Sequence, residues 1–134
     1  MKEHIQSKER CTVLVVDDDS GLLRSLGRLI RSAGFNALTF ERPALLLASE
    51  LPKTNVCLLL DVHLPEMSEV QLYEKLAVAR HDLPMIMMTG RDDPQTRHLL
   101  DRVSAVAVLI KPIDETLLLD AILRALALSR NGRR

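Results

Sequence analysis

TVLVVDDDSGLLRSLGRLIRSAG, residues 12 to 34, sets an apolar run, three consecutive carboxylates and an amphipathic segment in immediate succession. The run Thr12 to Val16 has the length and β-branched content of a strand. Leu22, Leu23, Leu26, Leu29, Ile30 and Ala33 then recur at helical spacing, and Gly34 ends the pattern, as a glycine does one residue beyond a helix. A strand feeding a helix through a short acidic turn is a βα unit. The carboxylates are the costly part, since like charges about 4 Å apart repel by roughly 4 kcal/mol at a protein-like effective dielectric. Asp17, Asp18 and Asp19 therefore call for a compensating cation, although Asp19 has a second reading as the cap of the helix it precedes.

The unit repeats. Further apolar runs stand at 36–40 (NALTF), 56–60 (VCLLL), 84–88 (PMIMM) and 106–110 (VAVLI). The spacing predicts crossover helices at 42–50, 68–80 and 93–102, and a last amphipathic helix from Asp114, its N-cap, with Leu117, Leu118, Ala121, Ile122, Ala125 and Leu126 on one face. Strands apolar along their whole length suit a parallel sheet covered on both sides, so the class is α/β, doubly wound, with five βα units. The division expected is a polar extension over 1–11, one domain over 12–129 and a basic tail over 130–134, the closing SRNGRR reading as flexible.

Composition narrows the function. The 134 residues carry 18 Lys plus Arg and 18 Asp plus Glu, so there is no basic field for nucleic acid, and direct nucleic-acid binding is not expected of this chain. No apolar stretch approaches the roughly 18 residues of a membrane span and the first residues, MKEHIQSKER, do not read as a signal peptide; no membrane association and a cytoplasmic location are expected. Cys11 and Cys57 sit in or beside apolar runs and read as small buried hydrophobes, and His4, His63, His81 and His98 have no zinc-like spacing.

In an open parallel sheet, ligands bind beyond the carboxyl ends of the strands. The residues just after each run are Asp17, Asp18 and Asp19, then Asp61, then Thr89 and Gly90, then Lys111 and Pro112. Carboxylates, a hydroxyl and an ammonium thus converge on one rim from distant parts of the chain. Carboxylate oxygens suit a hard divalent ion such as Mg²⁺, which shares its ligands with phosphate oxygens.

On the stretches VLVVDDDS, LLLDVHLPEMS, MIMMTG and LIKPIDE, the chain from about Thr12 to Leu128 resembles the receiver domain of two-component response regulators. SAGF, DVHLPEMS and MTGRDD are similar to receivers of LuxR-type regulators related to the nitrogen-fixation regulators. The resemblance implies a flavodoxin-like five-stranded sheet in the order 2-1-3-4-5. It implies Asp61 as the phosphoacceptor, supplied by a sensor histidine kinase or phosphotransfer protein. Mg²⁺ or Mn²⁺ would be bound by Asp18, Asp61 and the backbone carbonyl of His63, and by Asp17 through a water. Lys111 would pair with a phosphoryl oxygen, its bond to Pro112 being cis, and Thr89 would move to meet the phosphoryl group. His63 and Arg91 would tune access of the hydrolytic water. Output would be contact with a downstream protein, with homodimerisation through the fourth helix, fifth strand and fifth helix, and no enzymatic activity beyond self-phosphorylation and self-dephosphorylation.

Four positions depart from the family pattern. Val108 replaces the aromatic three residues before the lysine, Glu66 and Glu69 stand in the loop after the phosphoacceptor where small residues are usual, and Ser104 replaces a glycine. Val108, Glu69 and Ser104 motivate an alternative reading, an interaction module with weak or constitutive signalling. A further rival, an aspartate-nucleophile phosphatase acting on an external substrate, lacks its usual second acid, the place being taken by His63.

Overall fold

The computed structural model describes residues 11–62, 71, 74–75, 83–90, 94, 97–98, 101 and 105–131. β1 (Thr12–Val16), β2 (Asn36–Phe40), β3 (Val56–Asp61), β4 (Met85–Thr89) and β5 (Ala107–Ile110) form one parallel sheet in the order β2-β1-β3-β4-β5. The first two strands coincide with the expected runs. β4 starts one residue late because Pro84 has no N–H to give the ladder, although its carbonyl accepts the Leu58 N–H at 2.9 Å.

Alternate residues of the central strands point to opposite faces, and both faces are apolar, which is why these runs show no hydrophobic alternation. Val13 and Val15 of β1 belong to one core with Cys57, Leu59, Ile86 and Met88. Helices α1 (Ser20–Ser32) and α3 (Glu115–Asn131) close it through Leu23, Leu26, Ile30, Leu118 and Ile122. Leu14 and Val16 belong to a second core with Leu58, Leu60 and Met87, met by Leu46 of the short helix α2 (Pro43–Ala48). Each fully buried leucine or isoleucine adds about 1.5–3 kcal/mol of transfer free energy.

The helix boundaries follow local chemistry. The Asp19 carboxylate accepts the Leu22 N–H at 3.1 Å and starts α1. At its end Gly34 turns with φ 98°, so that Gly34 N–H reaches Arg31 O and Phe35 N–H reaches Ile30 O. That pairing is a Schellman motif, and its left-handed residue favours glycine. Asp114 caps α3 by accepting the Leu117 N–H at 2.9 Å.

Two expectations for α3 are corrected. Leu117 is 59% exposed and does not join the buried face. The buried stripe runs through Leu118, Ile122, Ala125 and Ser129, and Leu117 lies about 100° round the helix from Leu118. The helix also continues through Asn131, so the segment from Ser129 is not a loose tail as far as that residue. Ser129 is buried and its hydroxyl accepts the Val56 N–H at 3.2 Å, tying the end of α3 to the start of β3.

Of the expected helix at 68–80, Gln71, Glu74 and Lys75 are helical, and of that at 93–102, Pro94, Arg97 and His98 are. His63, Glu66, Glu69, Arg91 and Ser104 lie outside the described residues.

Candidate functional site

Two strands and the segments after two others deliver the polar groups of the rim. Asp17 and Asp18 follow β1, Asp61 ends β3, Thr89 ends β4 and Lys111 follows β5. Because β1 and β3 are neighbours in register, with Val16 opposite Leu60, the acids after one strand fall beside the acid ending the other. Oxygens of Asp17, Asp18 and Asp61 lie within 4.8 Å of one another. Asp17 and Asp61 are buried, at 0% and 4% exposure, while Asp18 faces solvent.

The cation that the carboxylates require within the chain is Lys111. Its Nζ stands 2.9 Å from Asp17 Oδ2 and 3.4 Å from Asp61 Oδ1. Burial by itself lowers the lysine pKa, but the hydrogen bond to Asp17 and the charges of Asp61 and Asp17 outweigh it and hold the ammonium above the ordinary lysine value. The lysine is placed by its own backbone, whose N–H donates to Thr89 O at 2.7 Å and so extends the β4–β5 pairing. The Lys111–Pro112 peptide bond is cis.

Asp17 uses both oxygens on protein donors, Oδ2 on Lys111 and Oδ1 on the Asp19 N–H at 2.9 Å. Thr89 is 1% exposed, and its register partner Ile110 immediately precedes Lys111. Three clustered carboxylates, two of them paired with one ammonium, leave an excess of negative charge on hard oxygen donors, the donor chemistry of Mg²⁺ or Mn²⁺. The residues present therefore fit such an ion, with Asp18 open to the side from which it would arrive. Asp19, the third acid of the run, points its carboxylate into the helix cap.

The response regulator receiver domain model matches residues 13–123. The chain belongs to the response regulator receiver family. Within that family, it is 35% identical over 131 residues to nodulation protein W of Bradyrhizobium diazoefficiens, covering 97% of this chain and 57% of that protein. It is 30% identical over 114 residues to the transcriptional regulatory protein FixJ of Rhizobium meliloti, covering 85% of this chain and 56% of that protein. The receiver therefore spans a little over half the length of these relatives. Among solved structures, that of response regulator StyR superposes with a TM-score of 0.81 at 37% identity, covering 91% of this chain and 62% of that one. The expected receiver fold, with its 2-1-3-4-5 order, is the fold observed.

Val108 occupies the position where the family pattern has an aromatic, and on β5 it is 42% exposed, beside Ile110 at 54%. Among the described residues, no helix is long and apolar enough to cross a membrane.

Proposed function

We propose that Asp61 is the phosphoacceptor of this receiver. A carboxylate oxygen attacks phosphorus in a donor phosphohistidine of a sensor kinase or phosphotransfer protein, or in a small acyl phosphate. The P–O bond to Asp61 forms as the bond to the leaving imidazole or acyl oxygen breaks. The observation that carries this reading is the placement of buried Asp61 beside Asp17, Asp18 and the Lys111 ammonium, which joins a nucleophile to a counter-charge at one strand end.

Asp18 and Asp61, the His63 carbonyl, and Asp17 through a water would hold Mg²⁺ or Mn²⁺. Asp17 fits the indirect role because protein donors already occupy both of its oxygens. The ion, when bound, supplies neutralisation of the charge on the phosphoryl oxygens. Lys111 is already aimed at Asp61 and pairs with a phosphoryl oxygen there, and Thr89 offers its hydroxyl to another. The bound group adds about −1.5 to −2 charges. Movement of Thr89 and Lys111 toward it passes to β5, where exposed Val108 and Ile110, with Leu117 at the start of α3, form an apolar surface for a downstream protein or a second receiver. The chain works in the cytoplasm, binds nucleic acid only through what it is joined to or contacts, and turns over no external substrate.

Intact mass after incubation with Mg²⁺ and a small acyl phosphate tests the assignment. One phosphoryl adduct is expected, absent in Asp61→Asn and absent when the ion is chelated. An adduct retained in Asp61→Asn, or none in the unaltered chain, would overturn it.

A further inference from the structure

A second charged feature lies apart from the acidic rim. Helix α1 contains Arg24, Arg28 and Arg31 and no acid from Ser20 to Ser32. The three arginines, with Leu23 and Thr39, line a groove of about 490 Å³ between α1 and β2. Strand β2 is an edge of the sheet. Its Asn36 N–H and Phe40 carbonyl are turned toward the β1 side, bonding Cys11 O and Asp17 N–H. The backbone groups of Ala37 and Thr39, which alternate with them, point outward. Arg31 Nη2 already uses that edge, donating to Ala37 O at 3.1 Å. Arg24 and Arg28 are exposed and make no ion pair among the described residues.

We infer that this groove is a docking site for an extended acidic segment of a partner protein, its carboxylates met by Arg24, Arg28 and Arg31 and its backbone laid along the outer edge of β2 at Thr39. Charge complementarity selects the sign, because a whole chain of zero net charge concentrates three guanidinium groups on one acid-free helix. Shape selects the class. Sites for small molecules enclose 70–90% of their ligand, whereas the three arginines and Thr39 are all exposed here. Spacing selects the conformation. Arg24 and Arg28 are separated by about 6 Å along the helix, close to the roughly 6.6 Å between alternate side chains of an extended strand. Guanidinium forks pair with carboxylates through two hydrogen bonds, and an open sheet edge accepts an added strand. This inference does not rest on the chemistry of Asp61.

The test is a nuclear magnetic resonance titration of the labelled chain with a capped peptide of alternating glutamate and threonine, beside the same peptide with glutamine for glutamate. Amide shifts are expected in α1 from Leu23 to Arg31 and in β2 from Ala37 to Phe40, with the glutamine peptide silent. The double variant Arg24→Glu, Arg28→Glu should weaken binding by about tenfold or more. Arg24→Gln with Arg28→Gln should weaken it less while leaving the amide spectrum elsewhere unchanged. Arg124→Glu, on α3, should leave affinity unchanged. Equal loss in Arg124→Glu, binding of the glutamine peptide, no shift in the groove, or the same shifts at the same affinity with inorganic pyrophosphate would overturn the proposal, the last by making this a small-anion site.

Discussion

Lys111 Nζ stands 2.9 Å from Asp17 Oδ2, joining residues 94 positions apart across the carboxyl end of the sheet. The pair balances a carboxylate that is 0% exposed, and the same ammonium reaches Asp61. Removing one partner of a buried pair leaves the other charge uncompensated. Lys111→Met should therefore lower stability by about 1–3 kcal/mol in chelator, measured by urea unfolding. Added Mg²⁺ should recover part of the loss, because the carboxylates then lack their internal counter-ion. A variant as stable as the parent without metal would show that the pair contributes nothing.

Asp19 differs from its two neighbours in the group its carboxylate meets. Its carboxylate caps α1 through the Leu22 N–H, so Asp19→Ala should cost about 1 kcal/mol while leaving Mg²⁺ affinity within a factor of about two. Asp19→Ser should restore most of the stability. Loss of metal affinity in Asp19→Ala comparable to that in Asp18→Ala would place the residue in the ion site instead.

Burial, aided by the charge of nearby Cys11, pushes the Cys57 thiol up to about 12. Its folded pKa lies above the unfolded value of roughly 8.5, so the folded chain holds the proton more tightly. The resulting stability is fully present below about pH 8.5 and is lost as pH rises toward 12. Lys111, also raised, adds a loss of the same sign that begins only above the ordinary lysine value. Unfolding free energy should fall with pH above about 8.5, and less steeply in Cys57→Ala over the range below the lysine pKa. Equal slopes in the two proteins would refute the assignment.

Gly27 is buried in α1, and a Cβ there would meet Arg31 Nη1 at 3.1 Å. The obstacle is the end of a flexible, exposed side chain, so it can move. Gly27→Ala should stabilise the chain, by up to about 1 kcal/mol from helix propensity less the cost of displacing Arg31 from Ala37 O. Destabilisation in thermal unfolding would mean that Arg31 cannot give way.

Ser129→Ala tests the tie between α3 and β3. The Val56 N–H would lose its buried partner, at a cost of about 1–3 kcal/mol. An unchanged urea midpoint would show that the hydroxyl carries none of that stability.

The elements were legible where one residue type repeats at a period, and the rim followed because the residues after each apolar run stand where parallel strands end. Strand order was not legible in that way. An apolar run such as Val56 to Leu60 does not carry the identity of its neighbour, and the order came from family resemblance. Two other features depend on where a helix rotates about its axis, and a third on the assembled sheet. Serine reads as a tail residue until Ser129 is found on the same stripe as Leu118 and Ile122, and Leu117 reads as core until that stripe turns away from it. Arg24, Arg28 and Arg31 left a signal in their spacing on an acid-free helix, but the edge of β2 that makes them a groove appears only in the assembled sheet.

The placement of Lys111 after the last strand also bears on synthesis. Asp61, the last of the three acids, leaves the ribosome about 50 residues before their internal cation does, an interval of roughly 3–10 s at ordinary translation speeds. A nascent sheet of β1, β2 and β3 would already crowd three carboxylates together before Lys111 is there to balance them. Electrostatics thus penalises closing the rim early, and vectorial folding gains its final favourable step only when β5 brings the ammonium.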